Sequence, residues 1–186
     1  MSAGGGQDRP ARVVTVFGGS HVQEGSAEYR EAERLGRLLA EQGFTVCNGG
    51  YLGVMAAVSR GARDAGGHVV GVTLAGATWE GPNTWLSEEV RAETLFLRIE
   101  KLITAADAFV VLRGGHGTLA ELAMTWNLIA IGAVHPRPLV LVGRHWQALL
   151  AAFRRHLTAS EEELRLLTLV DSAEAAVAAV AALVPR

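Results

Sequence analysis

Short apolar runs that alternate with segments of helical periodicity constrain the fold of this chain more than any other feature. The runs are VVTVF at 13–17, FTVC at 44–47, HVVGV at 68–72, AFVVL at 108–112, PLVLV at 138–142 and LTLV at 167–170. Strands covered on both faces are apolar almost throughout, whereas strands with one wet face alternate between apolar and polar residues. The sequence therefore predicts an α/β fold, a doubly wound, mostly parallel Rossmann-like sheet with helices on both faces.

The segments between the runs supply the predicted helices. Ala32, Leu35, Gly36 and Leu39 fall on one helical face, and Val54, Met55, Val58 and Ala62 on another. Further helices are expected from about Glu88 to Ala105, after Thr118 to about Ile131, over HWQALLAAFRRHL and over AEAAVAAVAALV. With 186 residues, 49% of them hydrophobic, the chain is long enough for one domain with a sizeable core and too short for two. We expect a disordered tail over 1–11 and a single Rossmann-like domain over 12–186.

Charge and targeting signals narrow the class of partner. The 17 basic and 19 acidic residues are spread along the chain and leave no basic patch for nucleic acid or an anionic membrane. The N-terminus lacks the apolar core of a signal peptide, and no segment approaches the ~20 apolar residues of a membrane span. Cys47 is the single cysteine, so no internal disulfide can form. We expect a cytoplasmic protein that binds a small molecule, with no nucleic-acid or membrane partner.

Three glycine-rich turns each follow a predicted strand and open a predicted helix. They contain Gly18, Gly19 and Ser20, then Gly49, Gly50 and Gly53, then Gly114, Gly115, Gly117 and Thr118. Glycine lets the backbone approach an anion, and the unpaired N–H groups at a helix start attract negative charge. One such turn is explained equally well as a tight connection without a ligand, but three at one sheet edge favour a phosphate site. None matches GxGxxG or GxxxxGK[ST], so dinucleotide and ATP sites are disfavoured.

Four stretches resemble successive blocks of one known family. VFGGS, GGYLGVMAAV, LFLRIEKL and RGGHGTLAE are similar to blocks of the LOG (Lonely Guy) family, whose hallmark is PGGxGTxxE, and the similarity covers roughly 12–145. The resemblance implies a phosphoribohydrolase that cleaves the N-glycosidic bond of cytokinin riboside 5′-monophosphates or AMP, giving free base and ribose 5-phosphate. It also implies a homodimer or a dimer of dimers, with sites near the interface.

The resemblance also implies which residues form the site. Arg98 and Glu121 correspond to the family's catalytic pair. The residues expected to bind a nucleoside monophosphate are Gly19, Ser20, Gly49, Gly50, Gly53, Met55, Arg113, Gly114, Gly115, His116, Gly117 and Thr118. Trp79 or Trp85 is expected to line the base pocket. No cofactor is expected, because the older lysine decarboxylase label would require pyridoxal phosphate on a lysine, and the resemblance gives Lys101, the only lysine, no such role.

Elementary chemistry gives the two charged residues an independent rationale. Breaking a ribosyl C–N bond passes through an oxocarbenium-like state, which a carboxylate stabilises or assists by proton transfer. Glu121 is expected in the first turn of its helix, and Arg98 stands among apolar residues, where a charge is unusual. The simpler explanations are a helix-dipole acid and a solvated arginine. No metal site is expected, because the histidines lack HxxxH or HExxH spacing.

Some positions depart from the family pattern and keep a second function open. Arg113 stands where the hallmark has proline, Ile99 where many members have lysine, and Ala120 where an acid is common. Arg113 adds a cation at the mouth of the third turn, and the missing lysine removes a contact to phosphate or base. The alternative is a protein that binds a nucleotide or the molybdenum cofactor on the same fold without turnover, as a carrier, since fold alone does not determine function.

Overall fold

The structure is a computed structural model that describes residues 12–76 and 81–184. One parallel sheet lies at the centre of this part of the chain. Within these ranges the strands are β1 (Val13–Phe17), β2 (Thr45–Asn48), β3 (Val69–Leu74), β4 (Glu88–Ala92), β5 (Ala108–Val111), β6 (Leu139–Val142) and β7 (Leu167–Val170). They lie in the order β4-β3-β2-β1-β5-β6-β7, and every neighbouring pair is parallel. The predicted fold class is therefore confirmed.

Helices cover both faces of the sheet. They are α1 (Ala27–Glu41), α2 (Val54–Asp64), α3 (Leu95–Thr104), α4 (His116–Ala130), α5 (Arg144–His156), α6 (Glu161–Leu164) and α7 (Ala173–Leu183). Helices α1, α2 and α7 pack with one face of the sheet into one apolar core. Helices α3, α4, α5 and α6 contribute to a second core on the other face. Cys47 is fully buried in this second core, and burial raises the pKa of its thiol to about 11.

The order of the strands reverses beside β1. From β1 the chain moves outward through β2, β3 and β4, and then returns to place β5 on the other side of β1. In open α/β sheets the connections on the two sides of such a reversal diverge and leave a crevice at the carboxyl ends of the strands, where ligands bind. The turns after β1, β2 and β5 all lie at this edge.

The prediction of a helix over about 88–105 is wrong in its first part. Residues Glu88–Ala92 form β4, an edge strand that pairs with β3 from Val70↔Glu88 to Leu74↔Ala92. The helix begins only at Leu95, because Thr94 is its N-cap and accepts a hydrogen bond from the Leu97 N–H at 3.2 Å. Charged residues in β4 resemble a helix surface in the sequence, but here they lie on an exposed sheet edge, where such charges discourage pairing with other chains.

The expected tail over 1–11 lies outside the described residues. Within the described ranges, no helix has the length and apolar character that crossing a membrane requires.

Candidate active site

The first and third glycine turns touch at the crevice between β1 and β5. The Gly19 N–H donates to the Arg113 carbonyl at 3.0 Å, and a Cβ on Gly19 would lie 3.2 Å from the Cα of Gly114. The second turn joins them, because the Val54 N–H at the start of α2 donates to the Gly19 carbonyl at 2.9 Å. The structure thus brings the three predicted turns together at one edge.

Several of these glycines are required by the packing of the turns themselves. Gly53 has a φ of 64°, and a Cβ there would overlap the carbonyl of Gly19. A Cβ on Gly49 would overlap the Arg98 guanidinium, and one on Gly114 would overlap the side chain of Thr118. These positions need glycine even without a ligand, so they say nothing about what binds.

Gly115 and Gly117 are different, because the protein itself gives no reason for glycine there. A Cβ at either position would project into open space, and neither has a positive φ. Gly115 is the N-cap of α4 and supplies no side-chain cap to the helix start. A helix start without a cap, approached through glycines, is the geometry of an anion site.

The helix that carries Glu121 begins earlier than the sequence predicts. We expected it to start after Thr118, with Glu121 in its first turn, but α4 starts at His116, so Glu121 lies in the second turn. Gly117 conceals the true start, because glycine is a poor helix former. The correction weakens the helix-dipole explanation of Glu121, since the dipole acts mainly on the first turn.

Arg98 is the buried cation of the site, with 7% of the residue exposed. Its Nε donates to the Val72 carbonyl at 2.8 Å, and its Nη2 donates to the Gly49 carbonyl at 3.0 Å. The guanidinium also lies 5.6 Å from the centre of the Tyr51 ring, within cation–π range. Contacts to β3 and to the second turn therefore fix the arginine, and the solvated-helix explanation does not apply.

The remaining Arg98 nitrogen faces Glu121. Nη1 lies 3.4 Å from Oε1 of Glu121, and the side chain of Glu121 is only 15% exposed. Burial raises the pKa of the Glu121 carboxyl to about 7, although the charge and the hydrogen bond of Arg98 act to lower it. The carboxyl therefore exists in both protonation states near neutral pH, which suits a group that must exchange protons.

The other predicted site residues differ in how far they are buried. Met55 is half-buried beside Gly49, Thr118 is buried in the first turn of α4, and Ser20 and His116 are exposed at the crevice. Trp85 lies against Arg60 of α2, with the guanidinium carbon 5.8 Å from the ring centre, and Trp79 lies outside the described residues.

Arg113 forms its ion pair with a residue of α1. Its Nη1 lies 3.0 Å from Oε1 of Glu28 on α1, and both side chains are largely exposed. Nearby, burial and then the charge of Arg113 lower the pKa of His145, while Glu28 opposes them. An exposed pair of this kind stabilises a fold by under about 1 kcal/mol. Arg113 is thus a cation held loosely beside the third turn.

Sequence reasoning missed the polar residues that shape the second turn. Asn48 accepts a hydrogen bond from the Gly50 N–H at 2.8 Å and donates to Ser59 at 2.9 Å, and Asn83 is buried against the same turn. The only available signal was Asn48 at the end of an apolar strand. The structure contains no cluster of three or more potential metal-ligating side chains in 12–76 and 81–184.

The fold and this site define a class: a Rossmann-like protein with an anion-type helix start beside a buried arginine and glutamate. Comparison with known proteins identifies the family. The model of the family described as "Possible lysine decarboxylase" matches 55–180. This chain therefore belongs to that family, which is the LOG family of the sequence resemblance.

The curated relatives include LOG proteins of plants. The probable cytokinin riboside 5′-monophosphate phosphoribohydrolase LOGL5 of Oryza sativa subsp. japonica is 38% identical over 75% of this chain and 58% of its own length. The cytokinin riboside 5′-monophosphate phosphoribohydrolase LOG2 of Arabidopsis thaliana is 31% identical over 70% of this chain and 62% of its own. This chain thus spans about 60% of the length of these relatives.

Solved structures share the fold. The X-ray structure of TM1055 is 28% identical, with a TM-score of 0.69, and the match covers 90% of this chain and 96% of that one. The molybdenum cofactor carrier protein of Chlamydomonas reinhardtii has a TM-score of 0.70 at 22% identity, over 91% of this chain and 96% of that one. At that identity the second likeness concerns the fold alone.

Proposed function

We propose that this protein hydrolyses the N-glycosidic bond of a nucleoside 5′-monophosphate, of the AMP or cytokinin riboside monophosphate type, to free base and ribose 5-phosphate. The observation that carries the proposal is the buried pair of Arg98 on α3 and Glu121 on α4, together with the uncapped start of α4 at Gly115 and Gly117. The names of the plant relatives support the same reaction class.

The position of Glu121 fits one ligand that spans both features. A 5′-phosphate at the start of α4 brings the ribose toward the second turn of that helix, where Glu121 lies. Water then adds across the C1′–N bond: its hydroxyl goes to C1′, and the base nitrogen receives a proton. The carboxylate of Glu121 stabilises positive charge on the ribose or activates the water, and its protonated form supplies a proton to the base.

Arg98 has a defined part in this chemistry. Its contacts to Val72 and Gly49 hold the guanidinium in place, so its charge is fixed before the substrate arrives. That charge offsets part of the effect of burial on Glu121 and keeps the carboxylate form accessible near neutral pH. Without it, the carboxyl would remain protonated to higher pH.

The first experiment measures product release and tests Glu121. The protein is incubated separately with AMP and with isopentenyladenosine monophosphate, and free base and ribose 5-phosphate are quantified. Glu121→Gln should lower kcat at least about a hundredfold, because the amide keeps the shape but neither exchanges a proton nor carries a charge. Nucleotide affinity, measured by calorimetry, should stay within about tenfold. A Gln variant with an undiminished rate would overturn the role of Glu121.

The same assay separates turnover from binding. A non-catalytic nucleotide or molybdenum cofactor carrier would bind its ligand tightly and release no base. The exposed Arg113 beside the third turn is the feature compatible with that alternative, because it offers a cation to an anionic ligand without contacting Glu121. Tight binding of both monophosphates with no release by the wild type would replace the hydrolase proposal with the carrier.

A further inference from the structure

In the described part of the segment between β3 and β4, the buried residue Asn83 contacts the second glycine turn through its backbone and its side chain. Asn83, which is 7% exposed, donates its backbone N–H to the Gly50 carbonyl at 2.8 Å. Its Nδ2 donates to the Tyr51 carbonyl at 3.0 Å, and its Oδ1 accepts the Trp85 N–H at 3.1 Å. Asn83 therefore ties two successive carbonyls of the turn to the following segment.

The Gly50 peptide is held from its other side as well. Asn48 accepts the Gly50 N–H through Oδ1 and donates through Nδ2 to Ser59 on α2. Gly50 has a φ of 79°, so the turn takes a path that a residue with a side chain rarely follows. Two buried asparagines thus fix this path, Asn48 on the N–H and Asn83 on the carbonyl.

The turn held in this way supplies two of the contacts around the Arg98 guanidinium. The Gly49 carbonyl accepts from Nη2 at 3.0 Å, and the Tyr51 ring lies 5.6 Å from the guanidinium carbon. These residues flank Gly50, so a shift of the Gly50 peptide moves both contacts together. The bond from Nε to the Val72 carbonyl then holds the guanidinium without the turn, which leaves Nη1 less firmly directed at Glu121.

We propose that Asn83 is a positioning residue of the active site: by holding the carbonyls of Gly50 and Tyr51, it keeps Arg98 directed at Glu121. Asparagine suits this position because it both donates and accepts through one short side chain. Aspartate keeps the acceptor for Trp85 but loses the donor to Tyr51, and alanine loses both. This inference rests on the proposed function, in which Arg98 and Glu121 carry the chemistry.

The test follows the carboxyl of Glu121 directly, independently of turnover. The ¹³C resonance of the Glu121 side-chain carboxyl is titrated by NMR in the wild type, Asn83→Ala, Asn83→Asp and Thr84→Ala. In both Asn83 variants the midpoint should rise by about one pH unit, because an arginine that has moved away offsets less of the effect of burial. Thr84 is the exposed neighbour of Asn83, and its variant should titrate like the wild type. Both variants keep the backbone bond to Gly50, and Asn83→Asp also keeps the shape of the side chain and the acceptor for the Trp85 N–H, so it is the second variant where Asn83→Ala unfolds.

Kinetics with AMP give the second readout. The Asn83 variants should lose about tenfold in kcat per folded molecule while KM changes less than about threefold, because Asn83 does not contact the start of α4. A merely structural Asn83 would lower the melting temperature and leave both the Glu121 midpoint and kcat at wild-type values, and that result overturns the inference. If the wild type releases no base, the proposed function is wrong. The NMR midpoints of Glu121 still decide in that case whether Asn83 positions Arg98.

Discussion

The Glu121 carboxylate makes the stability of the fold depend on pH. Its pKa rises from 4.5 to about 7 on burial, so between these values the folded state binds more protons than the unfolded state. The contribution of Glu121 to stability is therefore greatest below about pH 4.5 and falls as the pH rises toward 7, by roughly 3 kcal/mol for a shift of this size. Above pH 7 the contribution no longer changes, because both states are ionised.

Glu121→Gln should remove this dependence. The free energy of unfolding, measured by urea denaturation between pH 5 and 8, should fall less steeply for the Gln variant than for the wild type, by up to about 3 kcal/mol over the range. Burying an ionised carboxylate commonly lowers stability in this way. Parallel pH profiles of the two proteins would mean that Glu121 is ionised at its ordinary pKa.

The two central residues were predictable for different reasons. Arg98 stands out as a charge among apolar neighbours, and the structure buries it. Glu121 was predicted through the glycine motif and the family resemblance. Asn83 has no comparable signal, because asparagine after glycine and proline is also typical of an ordinary turn. Its importance comes from contacts with Gly50 and Tyr51, which lie more than thirty positions away and meet it only in the folded chain.

At the scale of elements, glycine at the start of α4 has opposite effects on the helix and on an anion that binds there: it is a poor helix former, but it leaves space for the ligand. A Cβ on Gly117 would meet nothing within 4 Å, so Gly117→Ala should leave stability unchanged or raise it, by up to about 1 kcal/mol. The same methyl group would occupy space that an anion at the helix start needs, so AMP should bind at least about tenfold more weakly. Calorimetry with AMP and thermal unfolding without it measure the two effects.

Gly81→Ala is the matched control for this substitution. Gly81 is exposed, has no positive φ, and a Cβ there would also meet nothing within 4 Å, but it lies outside the three turns. Its AMP affinity should equal that of the wild type. If Gly117→Ala also binds like the wild type, the glycines of the third turn do not form the phosphate site.

The elements themselves were predicted well where apolar patterns are strong and poorly where they are weak. The central strands are buried on both faces, which is why their apolar runs identify them. The edge strand β4 has one buried residue, Ala92, and its existence depends on hydrogen bonds to β3 rather than on its own pattern. Local sequence therefore cannot distinguish it from a charged helix surface.

At the scale of the whole molecule, the strand order explains why residues from distant parts of the chain meet. Parallel strands all end at one edge, and the reversal beside β1 opens a crevice there between β1 and β5. The alternation of strands and helices predicts the edge where the turns collect. It does not predict which side chains contact each other, because that depends on the order of the strands and on the path of each turn.

Helices α3 and α4 pack on the same face of the sheet and carry exposed apolar side chains, four of which, Leu95, Phe96, Leu119 and Met124, are here called the patch. Their exposed fractions are 51%, 80%, 41% and 40%, and the contact of Arg98 with Glu121 joins the two helices. Large exposed apolar patches mark sites of association in soluble proteins. We propose that two copies of this chain associate through this patch as a symmetric homodimer.

Phe96→Glu tests this dimer. Placing a carboxylate at the most exposed position of the patch puts two like charges close together across a two-fold axis, so the variant should be monomeric by light scattering while the wild type is dimeric. Leu183→Glu is the control: Leu183 is 60% exposed but ends α7, on the opposite face of the sheet, so this variant should keep the mass of the wild type. A wild-type monomer, or loss of the dimer only in Leu183→Glu, would exclude the patch on α3 and α4 as the interface. Because the patch lies on the two helices that carry Arg98 and Glu121, a monomeric Phe96→Glu with reduced kcat would further indicate that association helps to fix the pair.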